Sequence, residues 1–146
     1  MILSKTCGYA LRGILYIARP EWKDKNIGIK EISEALDIPK HFLGKIMQEL
    51  VKKEIIQSTK GPNGGFSANE ETLNTPVIKV IEAIDGLHVF KKCALGLKQC
   101  NDTNPCALHS KIKTHIDPLL ESFSNSKIKD LITEEFGERT FQNISL

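Results

Sequence analysis

Residues 93–109 read Cys93-Ala-Leu-Gly-Leu-Lys-Gln-Cys100-Asn-Asp-Thr-Asn-Pro-Cys106-Ala-Leu-His109, which packs three thiols and an imidazole into seventeen residues. The chain has 4 cysteines, and only Cys7 lies outside this run. Clustered soft ligands separated by short loops point to a metal ion or an iron–sulfur cluster. The spacings are C-x6-C, C-x5-C and C-x2-H. Loops of five or six residues can wrap a polymetallic cluster, whereas structural zinc sites favour knuckles with about two to four residues between ligands. The pattern therefore favours an iron–sulfur cluster, 2Fe–2S or 4Fe–4S, over zinc. Zinc, metal-free thiol–disulfide sensing and plain reduced thiols in a surface loop remain the alternatives.

The surroundings suit thiolates. Lys91, Lys92 and Lys98 are close in sequence and lower the cost of negative sulfur. Asn104-Pro105 reads as the start of a helix, which would put Cys106 in its first turn, where unpaired N–H groups and the macrodipole favour an anion. His109 would then share a face with Cys106, which makes it the local candidate for the remaining ligand. Cys7 is the distant candidate, within reach if a dimer brings it across from a second subunit. Taken alone, Cys7 reads as a small buried hydrophobe.

What must position these residues is about one domain's worth of chain. The 146 residues are 40% apolar and 26% charged, ordinary values for a soluble globular protein. No apolar run approaches the roughly 18 residues of a membrane helix. Arg12 interrupts the N-terminal apolar stretch and no small-residue cleavage site follows it, so no secretory leader is expected. The expected location is the cytoplasm, where disulfides are disfavoured and cysteines read as metal or redox groups. Residues 1–60 carry 11 Lys/Arg against 7 Asp/Glu, and residues 61–146 carry 9 against 11. The basic bias thus falls on the N-terminal half. No nucleophile–base constellation or flanked phosphate-binding loop is present, so an enzyme is not expected.

That half reads as a nucleic-acid reader. Ser4 predicts the cap of a helix to about Arg19, striped by Leu11, Ile14, Leu15 and Ala18 and stopped by Pro20. Residues 30–37 predict a short helix buried through Ile32, Ala35 and Leu36. After the turn at Ile38-Pro39, a third helix is expected from Pro39 to Glu54, its inner stripe Leu43, Ile46, Met47 and Leu50. Its outer stripe of His41, Gly44, Lys45, Gln48 and Lys52 is polar and poor in carboxylates. A short helix, a tight turn and a longer helix with such a face is helix-turn-helix patterning. Residues 55–59 predict a strand, residues 60–65 a hairpin tip and residues 66–68 the return strand, together a wing. Lys40, His41, Lys45 and Gln48 are expected in a DNA major groove, with Lys60, Asn63 and Gly64 against the backbone or minor groove.

Thr75 and Pro76 predict the start of a fourth helix faced by Val77, Val80, Ile81 and Ile84 and stopped by Gly86. A last long helix carries the stripe Leu108, Ile112, Ile116, Leu119, Leu120 and Phe123, with Pro118 expected to kink or break it. One short domain has few surfaces left to cover that stripe, which points to a homodimer suited to a palindromic site. A tail helix is expected from Ser126 to Glu135. The fold class is thus mostly α with a small β-hairpin: a winged helix-turn-helix plus a long C-terminal dimerisation helix. The expected division is residues 1–86 for DNA binding, 87–105 for the cluster loop and 106–146 for the dimerisation and tail helices. The expected partners are double-stranded promoter DNA and a second copy, with no membrane. A small electron-transfer protein is the other class to weigh, but it would leave the helix-turn-helix and wing without a use.

These pieces together resemble the Rrf2 family of bacterial regulators, which includes the IscR, NsrR and CymR types. The resemblance covers nearly the whole chain. It rests on Leu3-Ser4 with Tyr9-Ala10-Leu11-Arg12, on Ile32-Ser33-Glu34 with Ile38-Pro39 and Phe42-Leu43, on Lys60-Gly61-Pro62-Asn63-Gly64-Gly65-Phe66, and on the cysteine loop before a dimer helix. It implies a homodimeric winged-helix repressor or activator whose DNA affinity changes when a cluster is lost, oxidised or nitrosylated. In the nitric-oxide-sensing members a carboxylate from the partner's first helix completes the ligand set. Gly8 stands at that position here and cannot ligate. In the cluster-biogenesis members the histidine after the third cysteine is the fourth ligand, which implies His109, with Cys7 second. Those members also carry a glutamate in the recognition helix where this chain has Gly44, so their DNA site does not transfer.

Overall fold

A computed structural model of the chain describes residues 2–132. Ser4 sets the first helix: its hydroxyl oxygen accepts the Cys7 N–H at 3.0 Å, and α1 runs Lys5–Ile17. Pro20 opens a single 3-10 turn, Pro20–Trp22, instead of extending the helix.

The helix-turn-helix is α2 (Ile29–Leu36) and α3 (Lys40–Lys52). Asp37 adopts the left-handed conformation between them, with φ 51°. The Ile38 N–H then reaches back to the Ser33 carbonyl at 3.1 Å, and the Ser33 hydroxyl donates to the Ile38 carbonyl at 2.8 Å. From α1, Arg12 donates to the Leu36 carbonyl at 2.7 Å, satisfying an acceptor that the helix end leaves free. Pro39 lies just before α3 rather than inside it, in extended backbone, and its carbonyl accepts the Leu43 N–H. One difference from the expected burial follows from helix phase. The expected Leu43, Ile46, Met47 and Leu50 are buried, whereas Ala35 is exposed, and α2 is anchored by Ile32 and Leu36.

The wing is β1 (Gln57–Thr59) paired antiparallel with β2 (Gly65–Ser67), Ser58 opposite Phe66. Ile55 and Ile56, expected at the start of the strand, are instead buried in the connection from α3. Ile27 adds a third edge through two 2.8 Å hydrogen bonds with Phe66. That close approach explains Gly65: its φ is 145°, and a Cβ there would lie 2.5 Å from the Ile27 carbonyl carbon.

A short helix that the sequence reading did not anticipate, α4 (Glu70–Asn74), follows the wing. Asn69 and Thr72 close it with a reciprocal capping box. The buried Thr72 hydroxyl also donates to the Ile55 carbonyl at 2.7 Å. Thr75 therefore ends α4, its hydroxyl donating to the Glu71 carbonyl, rather than capping the next helix. That helix, α5 (Val77–Ile84), follows Pro76 and is closed as expected near Gly86, with φ 73°.

The last helix, α6 (His109–Asn125), begins three residues beyond Cys106 and continues through Pro118 without a break. Pro118 lies on an exposed face, where the one missing N–H bond leaves a carbonyl open to water. After it the chain returns on the core, with Val77 N–H bonded to the Ser126 carbonyl and Ile128 fully buried. The expected tail helix is a 3-10 turn, Ile128–Leu131, over the described residues, and its expected end at Glu135 lies outside them.

Among the described residues two apolar cores result. The larger joins Ala10, Ile14, Ile32, Leu36, Leu43, Met47 and Leu50 beneath the helix-turn-helix. The smaller joins Cys7, Val77, Ile81 and Phe90, and the partly buried Ile116, Leu119, Leu120 and Phe123 of α6 pack on it. Among the described residues no helix is long and apolar enough to cross a membrane. Replacing Gly65 by Ala should lower the unfolding free energy by about 1–3 kcal/mol, because a side chain at positive φ would press on the Ile27 backbone. Urea denaturation checks it, and a loss under about 0.5 kcal/mol would show that the wing yields without cost.

Candidate metal centre and nucleic-acid interface

Between α5 and α6 the chain has little regular structure beyond the 3-10 turn Leu87–Phe90, and this irregular stretch gathers the thiols. Cys93, Cys100 and Cys106 place their Sγ atoms within 4.8 Å of one another. The Cys93 and Cys106 sulfurs are 3.5 Å apart, and the Cys106 N–H points at the Cys100 sulfur at 3.4 Å. All three are free thiols, half-buried. They line a cavity of about 400 Å³ whose other wall is Phe90, Ile112, Ile116 and Leu120. The Cys93 thiol is pulled down to about 7, chiefly by a backbone hydrogen bond from Leu97; burial opposes this, and Leu95 and the neighbouring thiols add to it. Backbone N–H groups thus do what the sequence reading assigned to Lys91, Lys92 and Lys98. For Cys100 the Cys106 N–H also lowers the pKa, but burial and the adjacent sulfurs outweigh it and the thiol is raised.

His109 stands at the first turn of α6, and its Nδ1 is 3.2 Å from the Cys100 sulfur. Its Nε2 is 2.9 Å from Asp102 Oδ1, and Lys113 Nζ reaches both oxygens of Asp102 at 2.8 Å. His109 and Lys113 are four residues apart on one helix, so both meet the same carboxylate. The lysine hydrogen bond, followed by that of the histidine, holds Asp102 below the usual carboxylate range, and Asp102 raises Lys113 in turn. The sequence reading missed Asp102 and Lys113. The i, i+4 spacing of His109 and Lys113 was visible, but a loop carboxylate folding back onto it was not. Cys106 is not in a helical turn, since the helix starts later, and its neighbours in space are the Cys93 and Cys100 sulfurs rather than a row of free N–H groups.

The structure does not bring Cys7 to this trio. It is completely buried on α1 against Val77, Ile81 and Phe90, and burial, with the Asp85 carboxylate nearby, pushes its thiol up to about 12. Gly8 is half-buried with open space where a side chain would be.

The second constellation lies at the other end of the fold. Lys40, His41, Lys45 and Gln48 are exposed on α3 and, with Gly44 and Lys52, edge a groove floored by Phe66 of the wing, Glu49 also lining it. Lys60 and Asn63 are exposed at the hairpin tip. The Asn63 carbonyl accepts a 3.3 Å bond from Asn26, which steadies the tip. Gly64 is half-buried, and a Cβ there would meet the Thr59 carbonyl oxygen at 2.1 Å, so the turn itself requires glycine. Along α6 the expected apolar stripe divides. Its C-terminal half packs on the smaller core, while Leu108 and Ile112 remain 36% and 40% exposed.

Known proteins bear out the fold. The profile of the Rrf2 family, described as "Iron-dependent Transcriptional regulator", matches residues 3–134. An inferred HTH-type transcriptional regulator of Aquifex aeolicus (strain VF5) is 34% identical over 137 residues, 92% of this chain and 94% of that protein. The HTH-type transcriptional regulator NsrR of Halalkalibacterium halodurans is 30% identical over 138 residues, 92% of each chain. The solved structure of CymR, the global cysteine regulator of B. subtilis, is similar in fold, with a TM-score of 0.69 over 89% of this chain and 95% of that one at 17% identity.

The thiol pKa values separate the cysteines chemically. In metal-free protein, iodoacetamide should alkylate Cys93 with a rate that rises through a midpoint near pH 7, since the thiolate reacts and dominates above that pH. Cys7 should stay unmodified to beyond pH 9 until the chain is unfolded. Mass spectrometry of the alkylated peptides reads both, and equal rates at Cys7 and Cys93 would contradict the burial.

Proposed function

The chain belongs to the Rrf2 family of transcriptional regulators, and from that premise we propose that it is a homodimer, acting in the cytoplasm, whose grip on promoter DNA depends on an iron–sulfur cluster. That it is a DNA-binding regulator and not an enzyme follows from its family and its winged helix-turn-helix fold. The observation that carries the finer reading is the gathering of three free thiols within 4.8 Å of one another, with the His109 imidazole beside Cys100. The donor set fits the group: soft sulfur, one thiol ionising near neutrality, and an imidazole nitrogen on a rigid helix. Cys93, Cys100, Cys106 and His109 would hold it. When bound, the cluster supplies a centre sensitive to redox state, nitric oxide or cluster supply.

The remaining roles fall to the chain's own residues. Residues 87–105 form the sensing loop, residues 1–86 read DNA and residues 106–146 join two copies. Leu108 and Ile112, uncovered in one chain, would be covered by the second. Lys40, His41, Lys45 and Gln48 enter the major groove, and Lys60, Asn63 and Gly64 hold the backbone or minor groove. Ordering residues 91–106 against α6 sets the spacing of the two reading heads, and that spacing controls affinity. Zinc is the second reading, favoured by the compactness of the thiols, because three thiolates and one histidine make a tetrahedral set.

Anaerobic purification with iron, sulfide and zinc analysis decides between them. Iron and sulfide in near-equal amounts are the expected result; zinc alone, or no metal after anaerobic reconstitution, would reject the cluster. Replacing Lys45 by Ala should weaken promoter binding and reduce the slope of log K against log salt by about one. An unchanged slope would remove Lys45 from the interface.

A further inference from the structure

Asp102 has no part in the ligand set, yet its carboxylate bonds the histidine proposed for that set. Its Oδ1 faces His109 Nε2 at 2.9 Å, and Lys113 Nζ lies 2.8 Å from each of its oxygens. Lys113 donates to both of its oxygens, and a carboxylate held in this way accepts from the histidine rather than donating to it. The histidine nitrogen facing it must therefore be the one that carries the proton. In a neutral imidazole the other nitrogen is then a bare lone pair. That nitrogen, Nδ1, faces the Cys100 sulfur at 3.2 Å.

We infer that Asp102, backed by Lys113, is a positioning residue that locks His109 in its Nε2–H tautomer with the Nδ1 lone pair aimed into the cysteine site. The inference rests on the ligand role given to His109 above. It adds the group that makes His109 ready to ligate. A histidine free to choose its tautomer would present an N–H to the site for part of the time, and its ring would turn. A carboxylate behind a ligating imidazole also makes the ligating nitrogen more basic. Because Asp102 sits on the loop between Cys100 and Cys106 while His109 and Lys113 sit on α6, the same contact ties the sensing loop to the helix proposed to join the two copies. Lys113 holds both oxygens of that carboxylate, so it should act in the same direction as Asp102 and more weakly.

The first test uses the metal-free full-length chain labelled with nitrogen-15 histidine. Wild type should show the His109 nitrogen shifts of the Nε2–H tautomer, and Asp102→Asn and Asp102→Ala should move them toward the mixture of an unconstrained imidazole. The second test uses chain reconstituted anaerobically with iron and sulfide. Asp102→Asn, which keeps the size of the side chain, should lose iron to a chelator about tenfold faster and have a more positive reduction potential. Lys113→Met should shift both in the same direction by less. Asp102 is exposed, so a change of packing alone would leave the tautomer and the potential unmoved. Wild-type nitrogen shifts and wild-type iron loss in Asp102→Asn would overturn the inference. Wild-type chain that takes up neither iron nor sulfide would instead reject the cluster of the preceding subsection, and the metal-free spectra would still decide the tautomer lock.

Discussion

Both halves of this chain depend on the burial of one helix, α1. Its Ala10 and Ile14 are completely buried in the core beneath the helix-turn-helix, and its Cys7 is completely buried in the core beneath α6. Leu11 packs against both. Polar contacts hold the helix at each side. The Asp85 carboxylate takes the Ser4 N–H at 2.8 Å and bonds the Ser4 hydroxyl as well, which fastens the start of α1 to the end of α5. Arg12 fastens its middle to the turn between α2 and α3. A helix with apolar residues on more than one side must be covered on more than one side. The reading head and the cysteine segment therefore meet on α1. The smaller core is thus in direct contact with the helix that carries Arg12.

The cysteine site illustrates how similar groups divide a task when they share a small space. Three thiols within 4.8 Å cannot all ionise freely, because each thiolate disfavours the next. The backbone resolves the competition. Backbone bonds from Leu97 and Leu95 favour negative sulfur at Cys93, whereas burial and the adjacent sulfurs raise the Cys100 thiol, which lies beside His109 Nδ1. The titration thus belongs to the group of thiols as a whole. Ligation of a cation would release protons from the thiols that still carry them, which links occupancy of the site to pH.

What could be read in advance separates by the range of the interaction. Ser4 as a cap, the inner stripe of α3, the left-handed stop at Gly86 and the wing glycines are local or periodic features, and the structure shows them. Ala35 failed because a short helix allows more than one phase for its buried face. Helix α4 was missed because Asn69 and Thr72 cap each other over five residues, too short a span for a hydrophobic pattern to mark. The start of α6 was placed too early because Asn104-Pro105 has the composition of a helix start, yet the Asn101 side chain takes the Thr103 and Asn104 N–H groups into a turn of its own. The three cysteines and His109 were legible from type and spacing. Asp102 was not, because its role exists only once the loop has folded back on α6.

The ligand set follows from what α1 cannot offer. Gly8 has no side chain to extend, and Cys7 points into the smaller core with its thiol held up at about 12. Moving Cys7 out to ligate would empty a fully buried position and expose Val77, Ile81 and Phe90 around it, at a cost of a few kcal/mol. On the proposed reading every ligand then comes from one continuous stretch, residues 93–109, which needs no second chain to be complete. A site built this way reports its state through what the stretch touches rather than through a ligand borrowed from α1. One such contact is Phe90, which borders both the cavity and Cys7, and the other is the start of α6, where Leu108 and Ile112 remain uncovered. The first leads to the helix that steadies the reading head and the second to the surface proposed to meet the other copy. Both outlets lie within a few residues of the ligands, so ordering of this loop bears on both at once.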